Sequence, residues 1–173
     1  MARKYSKSAG NDVLVGAGTV LSAEDAQRCL DAGAQFLVSP GFDRATVELA
    51  NQNGILIMAG ALTPTEVITA WRAGSDLVKI FPCGTVGGAK YIKALKAPLP
   101  HIPMVPTGGV NLSTAADFLA AGAEALGVGG ELVSSAALQS GNTQTITESA
   151  RQFVEIVRRA KEPARTEVSV SRN

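Results

Sequence analysis

The sequence predicts a parallel α/β protein built from repeated strand–helix units, six of them in all. Short aliphatic runs recur roughly every 20–27 residues, and each is followed by turn residues and then by a helix-like segment. Glycine also returns at the ends of those helices, shortly before the next aliphatic run.

Met1 to Asp12 reads as the end of a helix that leads through Ser8, Ala9 and Gly10 into the first strand, Val13 to Ala17. Further strands are predicted at Phe36–Ser39, Ile55–Ala59, Leu77–Phe81, Met104–Pro106 and Ala125–Val128. Helix starts are readable at Ser22-Ala23-Glu24-Asp25, Thr63-Pro64-Thr65-Glu66 and Asn111-Leu112-Ser113, where cap-forming residues precede good helix formers. Gly33, Gly54, Gly74 and Gly122 stand where helices need a residue free to adopt positive φ. A long last helix is predicted from Thr143 to Lys161. The polar, aperiodic tail at 162–173 is expected to be mobile, leaving 1–161 as a single domain.

Composition bounds the function. The chain has 173 residues, enough for one domain with a real core; 46% are hydrophobic, 18% charged and 5% aromatic, and 18 are glycine. A net charge of +1 and the lack of a basic, aromatic-laced cluster argue against a nucleic-acid partner. Lys90, Lys93 and Lys96 fall at helical spacing and read as a solvated face. No apolar run is long enough for a membrane span, and no membrane partner is expected. Cys29, read as a buried helix residue, and Cys83, in a turn, have neither metal-ligand nor redox spacing, which fits a reducing cytoplasm.

One residue breaks the aliphatic pattern. Lys79 interrupts Leu77-Val78-Lys79-Ile80-Phe81-Pro82, a segment otherwise apolar on both faces. A buried ammonium is costly to desolvate and tends to lose its proton, and a neutral amine is the nucleophile that converts ketones to Schiff bases. The other reading, a lysine that snorkels to water or pairs with a buried carboxylate, stays open on this strand alone.

Active sites of parallel α/β proteins lie at the C-terminal ends of the strands. Those ends carry Gly16-Ala17-Gly18-Thr19, Ser39-Pro40-Gly41, Gly60-Ala61, Thr107-Gly108-Gly109 and Gly129-Gly130-Glu131. Two successive late units end in Gly-Gly, which lets backbone N–H groups approach an anion; a tight turn alone would also use glycine there.

The strings VGAGTV, VSPG, VKIFP, PTGGV and GVGG, in this order and spacing, resemble the 2-keto-3-deoxy-6-phosphogluconate/4-hydroxy-2-oxoglutarate aldolases over about residues 11–161. The resemblance implies a class I aldolase on a (β/α)8 barrel, usually trimeric, hence a homo-oligomer, and active in carbohydrate metabolism of the Entner-Doudoroff type. It implies Lys79 as the Schiff-base lysine with Phe81 beside it, and Thr19, Pro40 and Thr107 around the substrate carboxylate. Gly108, Gly109, Gly129 and Gly130 would cradle a phosphate. The expected reaction cleaves a keto acid to pyruvate and an aldehyde with no cofactor beyond the covalent imine and no metal. His101, the only histidine, lies in the loop before a strand, at the far end from the site, and reads as structural or solvent-exposed.

Two departures follow. The family's general base is a glutamate in a VLEVTLR-like second strand with a nearby phosphate-binding arginine, and nothing in this sequence matches that segment. The chain begins in what resembles the second helix, so an N-terminally truncated barrel with six of eight units is expected, its inner core and two edges open. Glu131 stands where some members carry a serine on the phosphate. Two other functions remain at this stage: another phosphate-binding barrel enzyme without imine chemistry, such as an isomerase or a thiazole- or thiamin-phosphate synthase, or a weakly active barrel that binds anions or self-assembles.

Overall fold

A computed structural model describes residues 13–162. The expected helix end at Met1–Asp12 and nearly all of the expected tail, residues 163–173, lie outside the described residues.

Five parallel strands form one sheet in sequence order: β1 (Ala17–Gly18), β2 (Phe36–Val38), β3 (Leu56–Ala61), β4 (Leu77–Ile80) and β5 (Met104–Pro106). Between them run α1 (Ala23–Asp31), α2 (Arg44–Gln52), α3 (Pro64–Arg72) and α4 (Ala89–Lys96). After β5 come α5 (Ala115–Ala120), the short α6 (Ser135–Gln139) and α7 (Thr143–Lys161). Each parallel pair is joined by a helix crossover, the connection parallel strands require.

Two of the three expected helix starts, and the four glycine stops, are met by specific features. Ser22 accepts from Asp25 N–H at 3.1 Å, and Thr63 with Glu66 forms a capping box, with Pro64 in the first turn. Gly33, Gly54, Gly74 and Gly122 all have positive φ, between 63° and 96°. α2 has a cap that the sequence reading did not include: Asp43 accepts from the Thr46 N–H at 2.8 Å.

Both ends of the sheet differ from expectation. The first strand is confined to Ala17–Gly18, although Val15 O still accepts from Gln35 N–H at 2.9 Å. The Gln35 side-chain amide oxygen, not a strand backbone, accepts from Val15 N–H at 2.9 Å, so the ladder does not continue to Val13 and Leu14. The sixth strand is reduced to a single parallel bridge, Thr107 to Gly127. A terminal strand has a partner on one side only, and here it is also interrupted by glycine, which weakens pairing. The helix expected after Asn111, α5, begins only at Ala115, because Asn111 first closes a turn by accepting from the N–H groups of Ser113 and Thr114, both at 3.0 Å.

The two faces of the sheet are solvated differently. Leu37, Ile57, Ala59, Val78, Ile80 and Met104 point to the helices and are fully buried. Phe36, Val38, Leu56, Met58, Leu77 and Lys79 point the other way and are all only half-buried. In a closed barrel this second face would be the packed interior. Here helices cover one face and leave the other partly open, as expected for a barrel with fewer than eight units.

Candidate active site

Lys79 sits on the open face near the C-terminal end of β4, paired in register with Gly60 on β3 and Val105 on β5. Its strand neighbours are aliphatic, and burial holds its amine below the ordinary lysine value. None of the six ion pairs among the described residues includes it. Among the described residues the carboxylate-paired lysine is therefore not what the fold builds. The Lys79 Nζ lies 4.7 Å from the centre of the Phe81 ring. A ring face favours the ammonium, whereas burial disfavours it, and burial sets the direction here.

The other expected residues arrive from neighbouring strand ends. Phe81 and Pro82 approach Gly108, whose missing Cβ would lie 3.6 Å from Pro82 and 3.7 Å from the Phe81 ring. Thr107 N–H bonds to the Ile80 carbonyl at 3.0 Å, directly after Lys79 in the chain. Pro40 is brought in by Gly60: a Cβ there would fall 2.1 Å from the Pro40 carbonyl carbon, so only glycine lets this turn cross the strand beside Lys79. Lys79, Phe81, Pro40, Thr107 and Gly108 thus share one end of β3, β4 and β5.

Thr19 follows β1, three strands from Lys79, with φ of 60°; it is the one non-glycine residue at positive φ among those described. Strain of this kind gathers at functional turns. Gly108 and Gly109 both have positive φ, at 83° and 80°. Gly129 and Gly130 are exposed with open space around them, two residues beyond the Thr107–Gly127 bridge that sets the late turns side by side. Glu131 is exposed on the turn that follows. A broad concavity of about 690 Å³ opens beside Gly109, toward Gly84, Gly87, Gly88 and Lys90, and does not lie over Lys79.

Two residues outside the motifs take part in the frame. The Tyr91 hydroxyl donates to the Leu62 carbonyl at 2.5 Å, and the Glu66 carboxylate accepts from the Leu62 and Thr63 N–H groups at 2.8 and 2.7 Å, so the turn after β3 is held from both sides. Gly60 was legible only as a strand-end glycine, since the strand was expected to stop at Ala59 and instead runs to Ala61; Tyr91 had no signal, because its partner is 29 residues away. Among the remaining expectations, His101 is exposed with its ring edge-on to Trp71 at 6.4 Å. Lys96 departs from the solvated face: its Nζ donates to the carbonyls of Pro100 and Ile102 at 3.0 and 2.9 Å, because the loop after α4 folds back over it. Cys29 is half-buried rather than buried. Cys83 is fully buried, and burial pushes its thiol up to about 11. No helix among the described residues is long and apolar enough to cross a membrane. No group of three or more His, Cys, Asp or Glu among those residues is placed to hold a metal ion.

A half-buried lysine near the C-terminal edge of a parallel sheet, beside glycine turns, is the arrangement that a Schiff-base lyase on a barrel-type α/β fold requires. The chain belongs to the KDPG and KHG aldolase family, whose model matches residues 2–149. It is 38% identical over 84% of its length to the 2-dehydro-3-deoxy-phosphogluconate aldolase of Treponema pallidum, spanning 70% of that protein. It superposes on a native KDPGal structure with a TM-score of 0.79 at 34% identity, covering 87% of this chain and 71% of the other. It also matches the KDPG aldolase of Legionella pneumophila, solved with pyruvate captured at low pH as a covalent carbinolamine, at a TM-score of 0.75 and 28% identity over 84% and 69% of the two chains.

Proposed function

We propose that this chain carries the imine-forming centre of an aldolase that cleaves a 2-keto-3-deoxy-6-phospho sugar acid, or 4-hydroxy-2-oxoglutarate, to pyruvate and an aldehyde. The observation that carries this reading is Lys79: half-buried, without a carboxylate partner, its amine pushed down by burial beside Phe81. Neutral Lys79 attacks the 2-keto carbon, and loss of water gives a protonated imine. As the C3–C4 bond breaks, its electron pair moves into that imine and the aldehyde departs. The enamine then takes a proton at C3, and hydrolysis frees pyruvate and returns the amine. A base must accept the C4 hydroxyl proton. By sequence, Glu131 is the nearest carboxylate candidate to the Gly-Gly turns.

Thr19, Pro40 and Thr107 are proposed to hold the substrate carboxylate. Gly108, Gly109, Gly129 and Gly130 are proposed to receive a phosphate through backbone N–H groups, a reading supported by the positive φ of the first two and by the adjacency of the two turns. The remaining parts of the proposal are a single barrel domain over 1–161, a cytoplasmic homo-oligomer, a trimer by family resemblance, in the Entner-Doudoroff context, and a reaction that needs no metal because the imine is the electron sink.

Borohydride reduction with pyruvate, followed by peptide mass analysis, tests the reading. Added mass is expected at Lys79 alone and is lost in Lys79→Arg, whose guanidinium does not deprotonate. Labelling that survives in Lys79→Arg would sink the assignment, and no labelling of the parent chain would favour a phosphate-binding barrel without imine chemistry.

A further inference from the structure

The end of β2 contains a buried hydroxyl that the proposed chemistry leaves unused. Ser39 is 3% exposed, and its N–H makes the last backbone rung between β2 and β3, to the Met58 carbonyl at 3.1 Å. The chain then turns away through Pro40 and Gly41, and the Ser39 side chain supplies the next rung. Its Oγ accepts from the Gly60 N–H at 3.3 Å and donates to the Gly41 carbonyl at 2.7 Å. One hydroxyl therefore ties the Pro40–Gly41 turn to the β3 residue that is in register with Lys79. The fit is close on the other side as well, because the Pro40 carbonyl carbon and oxygen occupy the space where a Gly60 Cβ would stand, at 2.1 and 2.3 Å.

We infer that Ser39 is a positioning residue for the Lys79 site, setting through its two hydrogen bonds how closely the Pro40 turn stands over the keto acid bound at Lys79. The inference rests on the imine reading above. Ser39 touches neither the amine nor the reacting carbons. Its removal leaves the Gly60 N–H and the Gly41 carbonyl without their side-chain partner, and the turn is then free to move from the strand. Because the nucleophile is untouched, the change falls on keto-acid binding and not on lysine ionisation.

The experiment is borohydride trapping of pyruvate by the full chain, run against pyruvate concentration and against pH. Ser39→Ala is expected to raise the half-saturating pyruvate concentration roughly tenfold, within the range that a buried donor left without its partner costs. The limiting rate and the pH midpoint should stay those of the parent chain. Ser39→Thr, which keeps the hydroxyl, should restore most of the affinity. Should Ser39→Ala prove too unstable to assay, as judged by thermal unfolding, Ser39→Cys should show the same shift to a smaller degree. Ser75→Ala is the control: it removes a hydroxyl only 2% exposed that bonds the Ala59 N–H on the same strand, away from the Pro40 turn. An unchanged half-saturation in Ser39→Ala, or an equal shift in Ser75→Ala, overturns the inference while leaving the imine reading intact. No trapping by the parent chain overturns both.

Discussion

Burial acts on Lys79 in two ways that can be measured separately. It lowers the amine's proton affinity in the folded chain, so the neutral nucleophile is present at a lower pH than for a free lysine, ordinarily near 10.4. Trapping should accordingly reach half its maximal rate below that value. The same shift bears on stability. Between the lowered folded value and the ordinary unfolded one, the unfolded chain binds the proton that the native state has released, so stability rises with pH across that window. Below the folded value both states hold the proton, and the desolvation cost is present in full. Lys79→Met keeps the length without the charge. It should raise the melting temperature at neutral pH and flatten its rise through the alkaline window; a parallel pair of melting curves for parent and variant would count against the desolvated lysine. Much of this was legible in the sequence, since a lysine inside Leu-Val-Lys-Ile-Phe has no polar face to sit on. The identity of its neighbours was not. Phe81 is two residues away, whereas Pro40 arrives only because Gly60, on another strand, has no side chain.

Helix boundaries were set by short-range chemistry, and so they could be read with few errors. α3 shows why: Thr63, Pro64 and Glu66 lie within four positions, and their hydrogen bonds form without help from the rest of the fold. Removing the cap with Thr63→Ala should destabilise the chain by about 1 kcal/mol, the usual cost of losing an N-cap hydroxyl. The effect should be larger in exchange protection at Leu62 and Thr63 than in α7. Glu66 adds a pH dependence of known sign. Its bonds from the Thr63 and Leu62 N–H groups hold its carboxyl below the ordinary value, so its contribution is present above the unfolded value and is lost as pH falls through the folded one. A stability profile flat through the acid range in the parent chain, and identical in Glu66→Gln, would remove that role. Strand boundaries were less legible for the converse reason. A strand at the sheet edge is defined by whether a partner is present, and Val13, Leu14 and the run at Ala125–Val128 carry strand-like sequence without a partner on both sides.

At the scale of the whole molecule, the sheet is covered on one face and, among the described residues, partly open on the other. Phe36, Val38, Leu56, Met58 and Leu77 keep part of their surface in water, and Val13 and Leu14 are 59% and 63% exposed near the β1 edge. Exposed apolar surface and a free sheet edge favour association. The isolated 173-residue chain is therefore expected to sediment as an oligomer or to aggregate. A second expectation concerns turnover. Joining strand–helix units with an inward-facing glutamate to the β1 edge should cover the open face and supply a positioned base, raising aldol turnover by roughly 10²–10⁴-fold. A parent chain that sediments as a monomer and turns over as fast as the joined form would overturn both expectations, and would direct attention to Glu131 as the base.

The sequence by itself determined the order of strands and helices, two of the capped helix starts, the glycine stops, the lysine inside an apolar strand and the family. Each of these depends on residues within a few positions of one another, or on motifs whose order along the chain is fixed. The tertiary structure decided what depends on pairs distant in the chain: that the first and last strands shorten for want of partners, that Lys96 is drawn into carbonyl contacts, and that Pro40 crosses Gly60 next to Lys79. It also decided that the face carrying Lys79 stays half-solvated. A strand's own side chains specify which residues share a face, but how dry that face becomes is set by how many other strands and helices close around it.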